Sequence, residues 1–109
     1  MKYISYKDAP KDTPIWACAY NVNNESLQKR YYRKPVKGKI LDAGYCSSWY
    51  EFYEFRKDGE TLRESGAVIA DSRFYADTEQ ECKEIYNDLV KARIMRLNEI
   101  IDEAKEDYI

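Results

Sequence analysis

Histidine occurs nowhere in the 109 residues. Its absence removes the side chain that most often moves protons near neutral pH and most often ligates metals. A Ser-His-Asp arrangement and a zinc site with histidine ligands are excluded. Cysteine is scarce as well: Cys18, Cys46 and Cys82 are odd in number, far apart and without CxxC spacing. A zinc site built on them would need a carboxylate as fourth ligand. We therefore read them as reduced, small apolar side chains and expect no metal. The four glycines are isolated, so no loop of the phosphate-cradling type exists. Ser47-Ser48 has no base within an activating pattern. Glu51 and Glu54 lie three apart on a predicted strand and point to opposite faces, which argues against a carboxylate dyad. No apolar run approaches the roughly 20 residues of a membrane-spanning helix. Residues 1–13 contain no apolar stretch of signal-peptide type, so the expected compartment is the cytoplasm. Neither sign of charge dominates: 18 basic residues face 20 acidic ones, with both signs mixed along the chain. No global field draws the molecule to nucleic acid or to a membrane.

What is abundant is tyrosine, with eleven copies. Tyrosine offers a large, stiff contact surface at low entropy cost and is enriched where proteins bind other molecules. A chain rich in tyrosine and empty of histidine reads as a binder, not as an enzyme, and no cofactor is expected.

The length suits a single domain in three parts: an arm (1–13), a β-sheet region (14–76) and a C-terminal helix (77–108). The arm is polar and loosely tied, although Tyr3, Ile4 and Tyr6 could add an edge strand. Residues 14–22 form the clearest strand. Ile15, Ala17 and Ala19 fall on one face and Trp16, Cys18, Tyr20 and Val22 on the other, which predicts a central strand covered on both sides. Asn23–Ser26 is turn chemistry, and Leu27–Lys34 reads as the hairpin partner. Pro35 interrupts it, Val36–Ala43 is a short strand with a bulge at Gly38, and Gly44–Ser48 is a loop. Trp49–Lys57 is an aromatic strand. Asp58-Gly59 then turns the chain into Glu60–Arg63, and Ala67–Arg73 is the last strand. Thr78 and Glu81 form a capping box for a helix running to about Lys105. The expected fold is α+β: a small bent antiparallel sheet, or an SH3-like barrel, of five to six strands followed by one long helix.

On a 3.6-residue period Cys82, Ile85, Tyr86, Leu89, Val90, Leu97, Ile100 and Ala104 share one helix face. Arg93 falls inside that stripe and Arg96 flanks it. A guanidinium cannot shed its charge. Three arrangements satisfy Arg93: a buried pair with a sheet carboxylate such as Glu51 or Glu54, a bend that lets it reach water, or a site where Arg93 and Arg96 grip an anion. In that last case Tyr86 or Tyr53 would stack on the base of a nucleotide, with a homodimer interface as one place to hold it. The segment Lys29–Lys34 interleaves basic and aromatic residues, so Arg30, Tyr32 and Lys34 on one strand face could track RNA or single-stranded DNA. A solvated edge strand gives the same pattern. Trp49, Tyr50, Phe52, Tyr53 and Phe55 exceed what one strand of a small core needs, and the surplus would form a partner-binding patch with Arg30–Lys34.

The stretch RFYADTEQECKEIYNDLV (Arg73–Val90) resembles a pattern of small phage-encoded accessory proteins, as does KPVKG (Lys34–Gly38). In that group a turn of the YADTEEE type leads into a helix after a sheet-forming first half. The resemblance implies an early product that binds host machinery or blunts host defence, sometimes by capturing a nucleotide messenger. Its setting would be the host cytoplasm and its main partner a host protein. It carries no defined site residues. The expected function is therefore a non-catalytic inhibitor acting by surface contact. Nucleotide sequestration and RNA or single-stranded DNA binding are the alternatives.

Overall fold

The structure is a computed structural model that describes residues 1–27, 33–47, 50–59 and 73–109. Five strands form one antiparallel sheet: β1 (Lys2–Tyr3), β2 (Ile15–Ala19), β3 (Arg33–Ser47), β4 (Tyr50–Lys57) and β5 (Phe74–Ala76). Their spatial order is β1-β5-β2-β3-β4. One helix follows, α1 (Glu79–Lys105). This is the α+β arrangement expected, with an open, bent sheet in place of a closed barrel.

β2 sits centrally, pairing with β5 on one side and β3 on the other. Its alternation builds two separate cores. Ile15 and Ala17 pack with Ala9, Ile40, Phe55 and Tyr75 on one face. Cys18 packs with Ala76, Cys82 and Tyr86 on the other, beside Trp16 and Tyr20. The helix covers the second face and the N-terminal segment covers the first. That segment is no loose arm. Ala9 is buried, Asp12 donates its amide to the Ile40 carbonyl at 2.8 Å, and the Lys11 ammonium donates to the Ala9 carbonyl at 2.6 Å. The β1 end is tied to the start of α1. Tyr3 donates to Asp77 at 3.0 Å, Lys2 pairs with Glu84 at 2.9 Å, and the Met1 ammonium pairs with Glu81.

Strand β3 departs most from expectation. Leu27 belongs to a short 3-10 turn, Glu25–Leu27, and not to a strand. The hairpin partner of β2 is instead one 15-residue strand that runs through both Pro35 and Gly44. It survives them by bulging. Ala17 pairs with Val36 and Ala19 with Arg33, so Lys34 and Pro35 together face Cys18 alone. Pairing with β4 begins only at Gly38. Pro35 thus sits in a bulge with a neighbouring strand on one side, where its missing N–H costs least. Ala43 and Cys46 are extra residues against β4 in the same way. All these irregularities lie on β3, and bulges bend and twist the strand that carries them.

Gly38 is not a bulge. It pairs regularly with Ile15 and Lys57, and a Cβ there would lie 2.2 Å from the Arg56 carbonyl oxygen. β3 and β4 approach each other too closely at this point for any side chain. The Asp58-Gly59 turn forms with Gly59 at φ +83°, a conformation glycine adopts freely. The expected strands Glu60–Arg63 and Ala67–Arg73 lie outside the described residues, except Arg73, which precedes β5. Phe74–Ala76, just past the expected end of the last strand and still within the expected β-sheet region, is a strand held between β1 and β2.

The helix begins as its capping box requires. Thr78 accepts from the Glu81 amide at 3.2 Å, and its hydroxyl donates to the Glu81 carboxylate at 2.9 Å. No helix among the described residues is long and apolar enough to cross a membrane.

Candidate protein-binding surface

A 27-residue helix is about 40 Å long at 1.5 Å per residue. The five-residue β2 beneath it spans only about 17 Å at 3.3 Å per residue. The helix therefore outruns the central strand beneath it. Its first half carries the buried residues Cys82, Tyr86 and Arg93, and none lies beyond Arg93. The second half projects. The radius of gyration, 16.6 Å with a longest extent of 58 Å, exceeds the roughly 13 Å of a compact chain this long.

The apolar stripe does not stop where burial stops. Ile94, Leu97, Ile100 and Ile101 are exposed by 53%, 37%, 43% and 50%. Leu97, Ile100 and Ala104 were expected to be sheet-facing; they are exposed and continue the stripe into solvent. Projecting apolar side chains aligned on one helix face are the feature the sequence left unread. Comparing helix length with strand length would have found them.

Arg93 marks the boundary. Its guanidinium donates to the Val22 carbonyl at 2.9 Å and lies 3.7 Å from the Glu25 carboxylate. These partners come from the loop after β2. Glu25 is exposed, so its ion pair is screened and contributes little. The hydrogen bond from a buried charged donor to a backbone carbonyl carries the interaction. Arg93 is thereby a structural clasp between helix and loop. Arg96, one turn on, is exposed and pairs with Glu99 at 3.3 Å.

The other candidate residues do not converge with these. Tyr86 is buried and packs edge-on against Tyr20, with centroids 5.7 Å apart. Tyr53 belongs to the opposite core, 6.4 Å from the Tyr6 ring and beneath the Lys11 ammonium at 5.6 Å. A base cannot stack on both, since the sheet lies between them. Lys34 is exposed at the rim of a cleft of about 450 Å³ with Pro35, Glu79, Lys83, Tyr86 and Asn87. Arg30, Tyr32 and Trp49 lie outside the described residues. Sequence reasoning also passed over Arg73, which is buried with its guanidinium 5.2 Å from the centre of the Phe55 ring and donates to the Phe55 carbonyl at 3.4 Å.

Among the described residues no three side chains of metal-ligating type come together. Cys18 and Cys82 are both buried, and the Cys18 thiol points at the Cys82 carbonyl, 3.8 Å away. Contact with Cys18, followed by burial, pushes the Cys82 thiol well above its ordinary range. It stays protonated and unreactive. No protein-family model, curated protein or solved structure matches the chain.

Proposed function

We propose that this chain is a non-catalytic binding protein that inhibits a host protein by surface contact. The carrying observation is the row of exposed apolar side chains on the projecting half of α1. Singly exposed apolar residues are ordinary, but a contiguous row on a rigid element marks a protein contact. An amphipathic helix offering anchors at three- and four-residue intervals is a recurring recognition mode. The phage-type resemblance in Arg73–Val90 supplies the class of partner. The two core-packed tyrosines and the clasped Arg93 support a rigid scaffold over a nucleotide trap.

The test compares the wild-type chain with a Leu97→Asp, Ile101→Asp variant, both immobilised against lysate of the natural host. One protein retained by the wild type and lost from the variant, then confirmed with purified components, is the expected result. Equal retention by both chains, or turnover of a substrate that is abolished by one substitution, would overturn the reading.

A further inference from the structure

We propose that the projecting stripe of α1 is covered, in the free protein, by a second copy of this chain lying antiparallel to the first. This rests on reading the stripe as a protein-binding surface, and it names the occupant. Val90, Ile94, Leu97, Ile101 and Ala104, all within α1, follow at alternating intervals of four and three residues. That is the spacing of a seam between two helices. Ile94, Leu97 and Ile101 are exposed. The seam is self-complementary about a two-fold axis between Leu97 and Ile101. Leu97 meets Ile101 of the second copy, and Ile94 meets Ala104. Each contact occurs twice.

Charge decides the direction. The start of this segment carries Lys91, Arg93 and Arg96, and its end carries Asp102, Glu103, Glu106 and Asp107 with Lys105. Parallel copies would place acidic end beside acidic end. Antiparallel copies bring the exposed Arg96 of one alongside Glu103 of the other, on the same side of the seam, while Arg93 keeps its contacts with Val22 and Glu25. Opposite charges across an interface fix orientation and register. The one like pair, Lys91 with Lys105, sits on exposed flexible stems that can part. The seam also continues directly from the face that packs on the sheet, so Val90, half-buried at the boundary, belongs to both.

Covering these side chains on both copies removes on the order of 1,000 Å² from solvent, the low end for a specific interface. Weak, transient complexes occupy that end of the size range, so the dimer is expected to form and dissociate across roughly micromolar to millimolar concentrations. Self-association then stores the stripe, and a protein partner must displace the second copy to reach it.

Sedimentation velocity over a concentration series tests this. The wild type should pass from monomer to dimer, and the Leu97→Asp, Ile101→Asp variant should remain monomeric with its helical circular dichroism retained. Glu103→Arg with Asp107→Arg should weaken the dimer about tenfold or more, and mixing that chain with an Arg96→Glu copy should restore association. A wild type that stays monomeric across this concentration range overturns the proposal. So does a dimer indifferent to the aspartates, or one strengthened by the arginines, which is the parallel outcome. The host-capture experiment fails independently. A monomeric wild type that loses its host partner with Leu97→Asp, Ile101→Asp keeps the functional reading and discards the dimer. A dimeric wild type whose aspartate variant still captures the partner does the reverse.

Discussion

The two halves of α1 obey one sequence rule and meet two fates. From Glu79 to Arg93 the apolar face lies on the sheet, with Cys82 and Tyr86 buried against Cys18 and Ala76. From Ile94 onward the same kind of face meets water. Periodicity is therefore a statement about what a helix offers and not about what accepts it. The covered half supplies stability, while the uncovered half adds helix without core. Short helices are marginal in water on their own, so the projecting half is held by continuity with the packed half.

Replacing a side chain in each half breaks the comparison most sharply. Tyr86→Ala removes a buried ring from the helix–sheet core and should cost about 3–5 kcal/mol of unfolding free energy. Leu97→Ala, measured below the concentration of self-association, should stay within about 0.5 kcal/mol of wild type. Denaturant midpoints with unchanged slopes would establish both, and equal costs would abolish the distinction. Arg93→Met tests the boundary itself. It leaves the buried-side Val22 carbonyl without its donor and should cost about 1–3 kcal/mol, whereas Glu25→Gln should cost less than about 0.5 kcal/mol because that carboxylate is exposed. If Glu25→Gln proves the larger in thermal melts, the clasp works through charge and not through the carbonyl.

Thr78→Ala probes the anchored end. Loss of the cap should cost about 1 kcal/mol, read as early melting of the covered half. The smallest effect is a pH response at the same end. The Met1 ammonium, then Thr78, hold the Glu81 carboxyl below its ordinary value, and Lys2 does the same for Glu84. Their folded-state values are depressed. Their contribution is therefore present above the ordinary carboxylate range and disappears as pH falls through the depressed values. The Met1 amine is raised by its contact with Glu81. Its contribution is complete below its ordinary value and disappears as pH rises through the raised one. Amide exchange at β1 and the first turn of α1 should quicken at both extremes while the β2 core is unmoved. Uniform loss of protection across the molecule would show that this end is not separately held.

Local chemistry was legible wherever a few neighbouring residues suffice. The two-faced pattern of Ile15–Ala19 specified a central strand. Thr78 and Glu81 specified the helix start, and the lack of any later glycine or proline specified its length. β3 was not legible, because Pro35 and Gly44 are turn formers in isolation, and the strand runs through them only when β2 and β4 are present to pair around the bulges at Lys34-Pro35 and Ala43. Gly38 has the same character: its necessity comes from the Arg56 backbone 2.2 Å from where its Cβ would be, which no local pattern encodes.

The sequence by itself determined a tyrosine-rich composition without histidine, an α+β order of elements and an amphipathic helix about 40 Å long. Only the tertiary structure decided that burial of the helix ends at Arg93, that Val22 and Glu25 receive its guanidinium, and that the stripe beyond is uncovered. The physical reason is that periodicity and capping are set by neighbours in the chain. Burial is set by how far another element extends in space.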